Sequence, residues 1–537
     1  MNYLKFLNPL FLAFLLISFS SCEDDLNTEP LDDDASTSDD FFNQEGAYKQ
    51  LLAGVYGNLN LTSPQGPGSS SIGGLDAGTS QYGRALMNLQ TFSTDEAIWS
   101  YENDPGIAEI QRSIWTPANV IVRGAFGRIM GSVAYANEFL RQSTPTLLDS
   151  RGVEGAERQE IETNFRAEAR FLRALSYYHM LDLFGKAPFV TEEQEIGAFR
   201  SEEIVGIDLM NYIETELLEI IPNLKDPLTN EYARADKGAA WMLLAKLYLN
   251  AEVYTGQDRY ADALQYAQQV IDAGYVLDDE YDNLFRADND SNGAQNEIIF
   301  PIPTDSFEAQ AYGPTTVMTN GAVGSLEQNG NNLGVASTGW GGAIRITESF
   351  AEKFEGPEFV NDVRNTIIKQ DRSSNISDIA NPDQGFVMTK YTDVRSDGSF
   401  DDNLEFSSVD FPMFRLADAY LMYAEAQLRS GSGSDAQALS YVNAIRTRAH
   451  QGNTDWNITA DELTLDFIID ERARELYWEF HRRQDLRRFG LFTSGSYVWA
   501  FKGNTFNGVA IPNFRELYPV PSESITANPN LNQNEGY

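Results

Sequence analysis

FRAEARFLRALSYYHMLDLFGKAPFV, residues 165–190, is the stretch that sets the fold. Phe171, Leu175 and Tyr178 recur at i, i+4 and i+7, the apolar stripe of an α-helix. Gly185 ends the periodic run and Pro188 lies just beyond it, the order in which a helix stops.

The pattern returns twice. AWMLLAKL (240–247) and AYLMYAEA (419–426) share the look of FLRALSY (171–177), with Ala174, Ala245 and Ala424 at equivalent small positions where two helices approach closely. YADALQYAQQVIDAGY (260–275) and DAQALSYVNAIRTRA (435–449) supply a second amphipathic segment after the later two blocks. Helix pairs of this kind resemble tetratricopeptide repeats, which must stack to bury their apolar faces. A helical bundle without repeats has the same spacing, so both readings stand at this level. The fold expected is mostly α: a tetratricopeptide-like helical-repeat scaffold, mainly at 41–60, 119–275 and 414–490. A loop-rich, irregular ligand-binding lobe is expected mainly at 61–118 and 276–413, where Gly, Ser and Asn accumulate and helical period fades. Residues 491–537 close the chain with Pro and Asn punctuation.

The amino terminus assigns the compartment. Lys5 precedes a mostly apolar run, Phe6 to Phe19, too short for a membrane span. Ser18-Phe19-Ser20-Ser21-Cys22 follows and resembles a lipobox, and Cys22 is the chain's one cysteine. Residues 1–21 are expected to be a lipoprotein signal peptide, Cys22 the lipidation site and 22–40 a flexible, Asp- and Ser-rich tether. Acidic residues directly after the cysteine resemble a surface-export signal of Bacteroidetes lipoproteins.

With 79 acidic and 39 basic residues, the formal net charge of -40 repels phosphate backbones and argues against nucleic-acid binding. One cysteine allows no intrachain disulfide, and the three histidines form no zinc spacing. DNDSNG (288–293) opens like a calcium loop, but the position that needs Glu is Ile299, so an EF-hand is excluded and an irregular calcium site stays open. No cofactor is expected.

A neutral-glycan site wants aromatic faces for sugar C–H surfaces and paired hydrogen-bonding side chains for hydroxyls. LDAGTSQYGRALMNLQTFSTDEAIWSY (75–101) gathers Asp76, Tyr82, Arg84, Asn88, Asp95, Trp99 and Tyr101 in one non-repeat stretch. Trp340 sits in STGWGGAIR (337–345), a glycine-rich setting suited to an exposed platform, and Tyr312 in AQAYGPTT (309–316) is its partner candidate. Glu96 reads as part of a turn or helix cap. Trp241 and Trp478 are placed on amphipathic helices as structural residues. In ERARELYWEFHRRQDLRRFG (471–490), Glu471, Arg472, Arg474, Glu475 and Asp485 read as structural ion pairs rather than a hydrolase dyad.

Taken in order, LNTEP (26–30), FFNQEGAYKQLLAGVYGNL (41–59), residues 165–190, RADKGAAWMLLAKLYLNAEVY (234–254), NEIIFPIP (296–303), FRLADAYLMYAEAQ (414–427), residues 471–490 and YPVPSESITANPNLNQNEGY (518–537) resemble the SusD/RagB family of Bacteroidetes nutrient-binding lipoproteins over essentially the whole mature chain. The resemblance implies a non-enzymatic outer-membrane protein at the cell surface. Such a protein captures oligo- or polysaccharide for a SusC-like TonB-dependent barrel. It also implies ligand contacts in the region of STDEAIW (93–99), with Trp99 first and Arg84 and Asp76 next. Few basic residues in the candidate loops favour a neutral polymer such as a β-glucan or fructan. A peptide-capturing relative and a surface glycoside hydrolase are the alternatives.

Overall fold

The computed structural model describes residues 38–194, 197, 200–322, 333–335, 340–369 and 371–537. The leader, Cys22 and most of the tether lie outside them.

The longer helices are α1 (Ala47–Asn60), α2 (Tyr82–Gln90), α3 (Val120–Gln142), α4 (Arg166–Phe184), α5 (Gly206–Ile220), α6 (Lys237–Leu249), α7 (Tyr260–Ile271), α8 (Pro314–Ala322), α9 (Leu416–Ser430), α10 (Asp435–Ala449), α11 (Leu465–Leu476) and α12 (Arg482–Arg488). Their ends are set by local chemistry. Asn119 Oδ1 accepts from Ile121 N at 3.0 Å and Val122 N at 3.2 Å to open α3, and Asp236 opens α6 through Ala239 N at 3.1 Å. Gly185, at φ 69°, closes α4.

Helices α3, α4 and α5 pack in sequence, α6 pairs with α7, α7 packs on α9, and α9 pairs with α10. The small positions Ala174, Ala245 and Ala424 are all fully buried in the core that runs through these pairs. The fold is therefore a helical-repeat scaffold of the tetratricopeptide kind. Strands are few and short: β1 (Ile98–Trp99), β2 (Ile298–Ile302), β3 (Ile344–Arg345) and β4 (Phe411–Arg415) are those that matter for the site. Strands β2 and β4 pair antiparallel, from Ile298 opposite Arg415 to Ile302 opposite Phe411.

Two sequence expectations need correction. The stretches expected to be irregular contain helices α2 and α8, which are short and embedded in Gly- and Asn-rich flanks that mask their period. Trp478 is not on a helix: α11 stops at Leu476, and Trp478 occupies a turn at φ 60°, fully enclosed in the core.

Helices α11 and α12 carry a buried ionic network. Glu475 meets Arg415 at 2.6 Å, Arg364 at 3.2 Å and also Arg448. Glu479 meets Arg415 at 2.7 Å and Lys390 at 2.6 Å, and Arg472 bridges Asp418 at 2.8 Å and Asp485 at 2.9 Å. Burial alone would raise the pKa of Glu475, but Arg448, Arg415 and Arg364 overturn that and hold it well below the usual carboxylate range. Arg474 pairs with Glu471 at 2.8 Å in the same network. Removing one partner strands several buried charges, so Glu475→Ala is expected to destabilise the protein by about 3–5 kcal/mol in urea unfolding; a midpoint shift within error would refute the role assigned to the network.

Candidate functional site

The site is assembled by two non-local events. In the first, residues 75–101 fold into a short helix, then α2, then β1. Asp76 caps the short helix through Thr79 N at 2.9 Å and takes the Thr79 hydroxyl at 2.5 Å, and Gln81 caps α2 through Arg84 N at 2.6 Å. Arg84 and Asn88 then stand one turn apart on the same helix face, with Arg84 Nε donating to Asn88 Oδ1 at 3.0 Å.

In the second, β1 pairs antiparallel with β3, Trp99 opposite Ile344 and Ile98 opposite Arg345, and Ser100 N donates to Ala343 O at 2.8 Å. This pairing brings residues 340–343 beside Trp99. Gly341 and Gly342, at φ 62° and 69°, allow the chain to turn behind Trp340 in the left-handed region. Trp340 N donates to Asn320 O at 3.1 Å, and the Tyr101 hydroxyl donates to Trp340 O. A side chain at Gly321 would strike Ile344 at 2.8 Å and approach the Trp99 ring at 3.5 Å, so glycine there lets α8 close over the strand pair.

The result is an open recess of about 650 Å³ lined by Asp76, Arg84, Asn88, Trp99, Tyr101, Tyr312 and Trp340, with Asp104 added. Its aromatic rings form an arc in the order Tyr101, Trp99, Trp340, Tyr312. Successive centroids are 5.5, 6.1 and 6.3 Å apart, and successive planes are turned by 80°, 83° and 43°. Arg84 lies with its Cζ 4.7 Å over the Trp99 ring. Burial lowers its pKa to about 10 against the opposing pull of Asp104 and Asp76, and among the described residues it makes no ion pair. Its terminal N–H groups are therefore available to a ligand. The Tyr312 hydroxyl donates to Glu405 Oε1 at 2.6 Å; burial and that carboxylate push its pKa to about 12.

Asp104, which the sequence did not single out, accepts the Trp99 indole N–H at 2.8 Å and so orients that ring. Its signal in SYENDPG is only that of a turn. Two expected contacts prove structural. Tyr82 is 1% exposed and its hydroxyl meets His179 Nδ1 at 2.7 Å. Two residues along a helix turn the side chain by about 200°, which sends Tyr82 into the core when Arg84 faces the recess. Asp95 is fully buried: Arg482 grips it at 2.8 and 2.7 Å and the Tyr497 hydroxyl donates at 2.6 Å. Trp99 is itself only 3% exposed, so it is a wall of the recess and a core residue at once. In DNDSNG, Asp288 accepts from Ser396 N at 3.0 Å and the Ser396 hydroxyl at 2.5 Å, and no group of three or more potential metal-ligating His, Cys, Asp or Glu occurs among the described residues.

Fold and recess together define a helical-repeat protein that presents a preformed, aromatic-walled surface site. The sequence profile of the SusD family matches residues 355–537. Starch-binding protein SusD of Bacteroides thetaiotaomicron is 33% identical, with 99% of each chain covered, and SusD-like protein P25 of Formosa agariphila is 25% identical, with 99% and 100% covered. Among solved structures, a SusD homolog from Bacteroides thetaiotaomicron superposes at TM-score 0.70 with 20% identity over 94% of this chain and 99% of that one. A laminarin-binding SusD-like protein superposes at 0.67 with 22% identity, covering 92% and 100%. The chain belongs to the SusD family.

Glu96, next to the Asp95–Arg482 pair, is 1% exposed, and among the described residues its carboxyl group accepts one long bond, from Trp478 N at 3.4 Å. Burial, then the charge of Asp95, raises its pKa to about 8, against the pull of Arg482 and Lys390. A raised carboxyl pKa contributes stability below the unfolded value near 4.5, and that contribution is lost as pH rises towards 8. Glu96→Gln is therefore expected to gain on the wild type steadily between pH 5 and 8.5 in urea midpoints; a difference independent of pH would contradict the assignment.

Proposed function

We propose that this protein is a non-catalytic glycan-capture lipoprotein of the cell surface, anchored to the outer membrane through Cys22, that passes oligo- or polysaccharide to a SusC-like TonB-dependent barrel. The observation that carries the glycan reading is the arc of four rings with a free guanidinium beside it. Ring faces take sugar C–H surfaces, and the Arg84–Asn88 pair offers donors at a spacing suited to neighbouring hydroxyls. Arg84 shares the wall with Asp76 and Asp104, so the recess offers no cationic patch to an anionic polymer, which favours a neutral one.

The accessible platforms Trp340 and Tyr312 are turned by 43° and do not lie under one flat ribbon, as an extended β-1,4-glucan would require. They suit a chain that curves. An α-1,4-glucan curves in this way, and starch is the polymer in the name of the relative that is 33% identical. We therefore place α-glucan first, with the β-glucan and fructan expected from sequence as the other arms of the test. Against a hydrolase, both carboxylates of the recess are engaged, Asp76 as a helix cap and Asp104 with the Trp99 indole. Support for the anchor comes from the lipobox-like string at 18–22; among the described residues no helix is long and apolar enough to cross a membrane.

The soluble chain from residue 23 onward is expected to be retarded in native affinity gels by amylopectin, without release of new reducing ends. Trp340→Ala, at a half-buried position, removes one ring of the arc and is expected to abolish retardation with the unfolding midpoint unchanged. Trp99→Ala serves less well, since loss of so buried a tryptophan costs about 3–5 kcal/mol. Retardation by laminarin or inulin instead would reassign the polymer. Wild-type retardation by Trp340→Ala would overturn the site, and failure of every neutral glycan would favour peptide capture.

A further inference from the structure

A second recess, of about 330 Å³ and mostly apolar, lies between α1 and the 231–234 turn. Its features point to a ligand of the same chemistry. Tyr232 is 43% exposed although its hydroxyl donates inward to Asp410 Oδ2 at 2.8 Å, so what it presents outward is ring rather than hydroxyl. Tyr56 is pinned likewise: its hydroxyl donates to Glu168 Oε2 at 2.5 Å and accepts from Ala235 N at 2.9 Å. Leu61 adds apolar surface that is 38% exposed.

One polar atom in this wall is unsatisfied. Asn60 is 4% exposed and its Nδ2 donates to Ala309 O at 3.1 Å, but its Oδ1 has no hydrogen-bond partner. That acceptor is itself closed off from solvent, so what the wall offers a ligand is the ring surface of Tyr56 and Tyr232 and the Leu61 side chain. The cations at the rim are already neutralised: Lys49 pairs with Glu231 at 2.8 Å and Arg234 with Glu168 at 2.5 Å. An anionic or cationic ligand gains nothing there, whereas a neutral polyhydroxylated one does.

The recess also lies close to the first along the 309–312 segment. Ala309 lines it and Tyr312 lines the aromatic arc. Three residues span at most about 11 Å of chain. Gln81, which caps α2 through Arg84 N, donates to Asn60 O at 2.8 Å and so braces one recess against the other. Phe307, 58% exposed, stands on the same loop.

We propose that the recess formed by Tyr56, Asn60, Leu61 and Tyr232 is a second saccharide-binding site, which holds a further segment of the neutral polysaccharide bound at the aromatic arc. The proposal rests on the glycan-capture reading. Two linked weak sites raise the affinity for a polymer without altering that for a short oligomer seated in one of them.

The test compares amylopectin with maltoheptaose on the soluble mature chain. Tyr232→Ala is expected to weaken amylopectin retention about 10-fold and to leave calorimetric maltoheptaose affinity at the arc within about twofold. Tyr232→Phe keeps the ring and is expected to bind amylopectin as the wild type does. Ala53→Arg, at an exposed helix position on the rim, obstructs the recess without touching the Tyr232–Asp410 bond and is expected to reproduce the loss, which keeps the test sound if Tyr232→Ala folds poorly. Wild-type amylopectin retention by both Tyr232→Ala and Ala53→Arg would overturn the second site alone. Failure of amylopectin, laminarin and inulin alike to retain the wild-type protein would overturn the glycan reading and this proposal with it.

Discussion

Glu475 is surrounded by the guanidiniums of Arg415, Arg364 and Arg448 with no exposed edge, and the rest of the structure depends on that arrangement. Taking such charges out of water is unfavourable by several kcal/mol for each ion, and their mutual attraction offsets this only when every partner is in place. The partners come from β4, α10, α11 and the loop at Arg364. The Arg364 loop pairs Arg364 with its own Asp362 at 2.7 Å, but Glu475, Arg415 and Arg448 find partners only across segments, so the network is completed only in the assembled fold. Arg482, on the neighbouring α12, extends the same principle to Asp95, four residues before Trp99. The charged signature at 471–490 thus fixes the foundation of the site without facing a ligand.

On this foundation the recess is largely preorganised. The Trp99 ring is held by its bond to Asp104 and by Phe92, whose centroid is 5.8 Å away. Trp340 is held through its backbone, by Asn320 and by Tyr101, which leaves its ring free to meet a ligand. Tyr312 is anchored at its hydroxyl by Glu405. Rings fixed before contact lose little side-chain entropy on it, so under the proposed glycan reading a modest number of stacking contacts would suffice for capture. The angles between them set the shape of chain that can be accommodated.

Much of the scaffold was legible because helical period is a local property: α4, α6 and α9 and their alanines follow from spacing alone. Seven of the nine candidate contact residues meet in one recess because they belong to stretches where aromatic and polar residues gather without period. What was not legible depends on distance along the chain. Asp95 reads as a polar loop residue until Arg482, 387 positions away, is seen to hold it. The meeting of Trp99 with Trp340 follows from a two-residue strand pairing too short to leave a pattern. Tyr82 was misplaced because the nine-residue α2 follows a Gly- and Ser-rich stretch and is too short for its period to show which residues share a face. Asp104 was missed because its role is to orient a neighbour.

The most direct measurement is a crystal structure of the soluble mature chain with maltoheptaose. The account predicts glucose rings against Trp340 and the exposed edge of Trp99, with hydroxyls bonded to the terminal nitrogens of Arg84 and the chain bending along the arc towards Tyr312. A saccharide bound elsewhere, with the arc empty at saturating oligosaccharide, would contradict it.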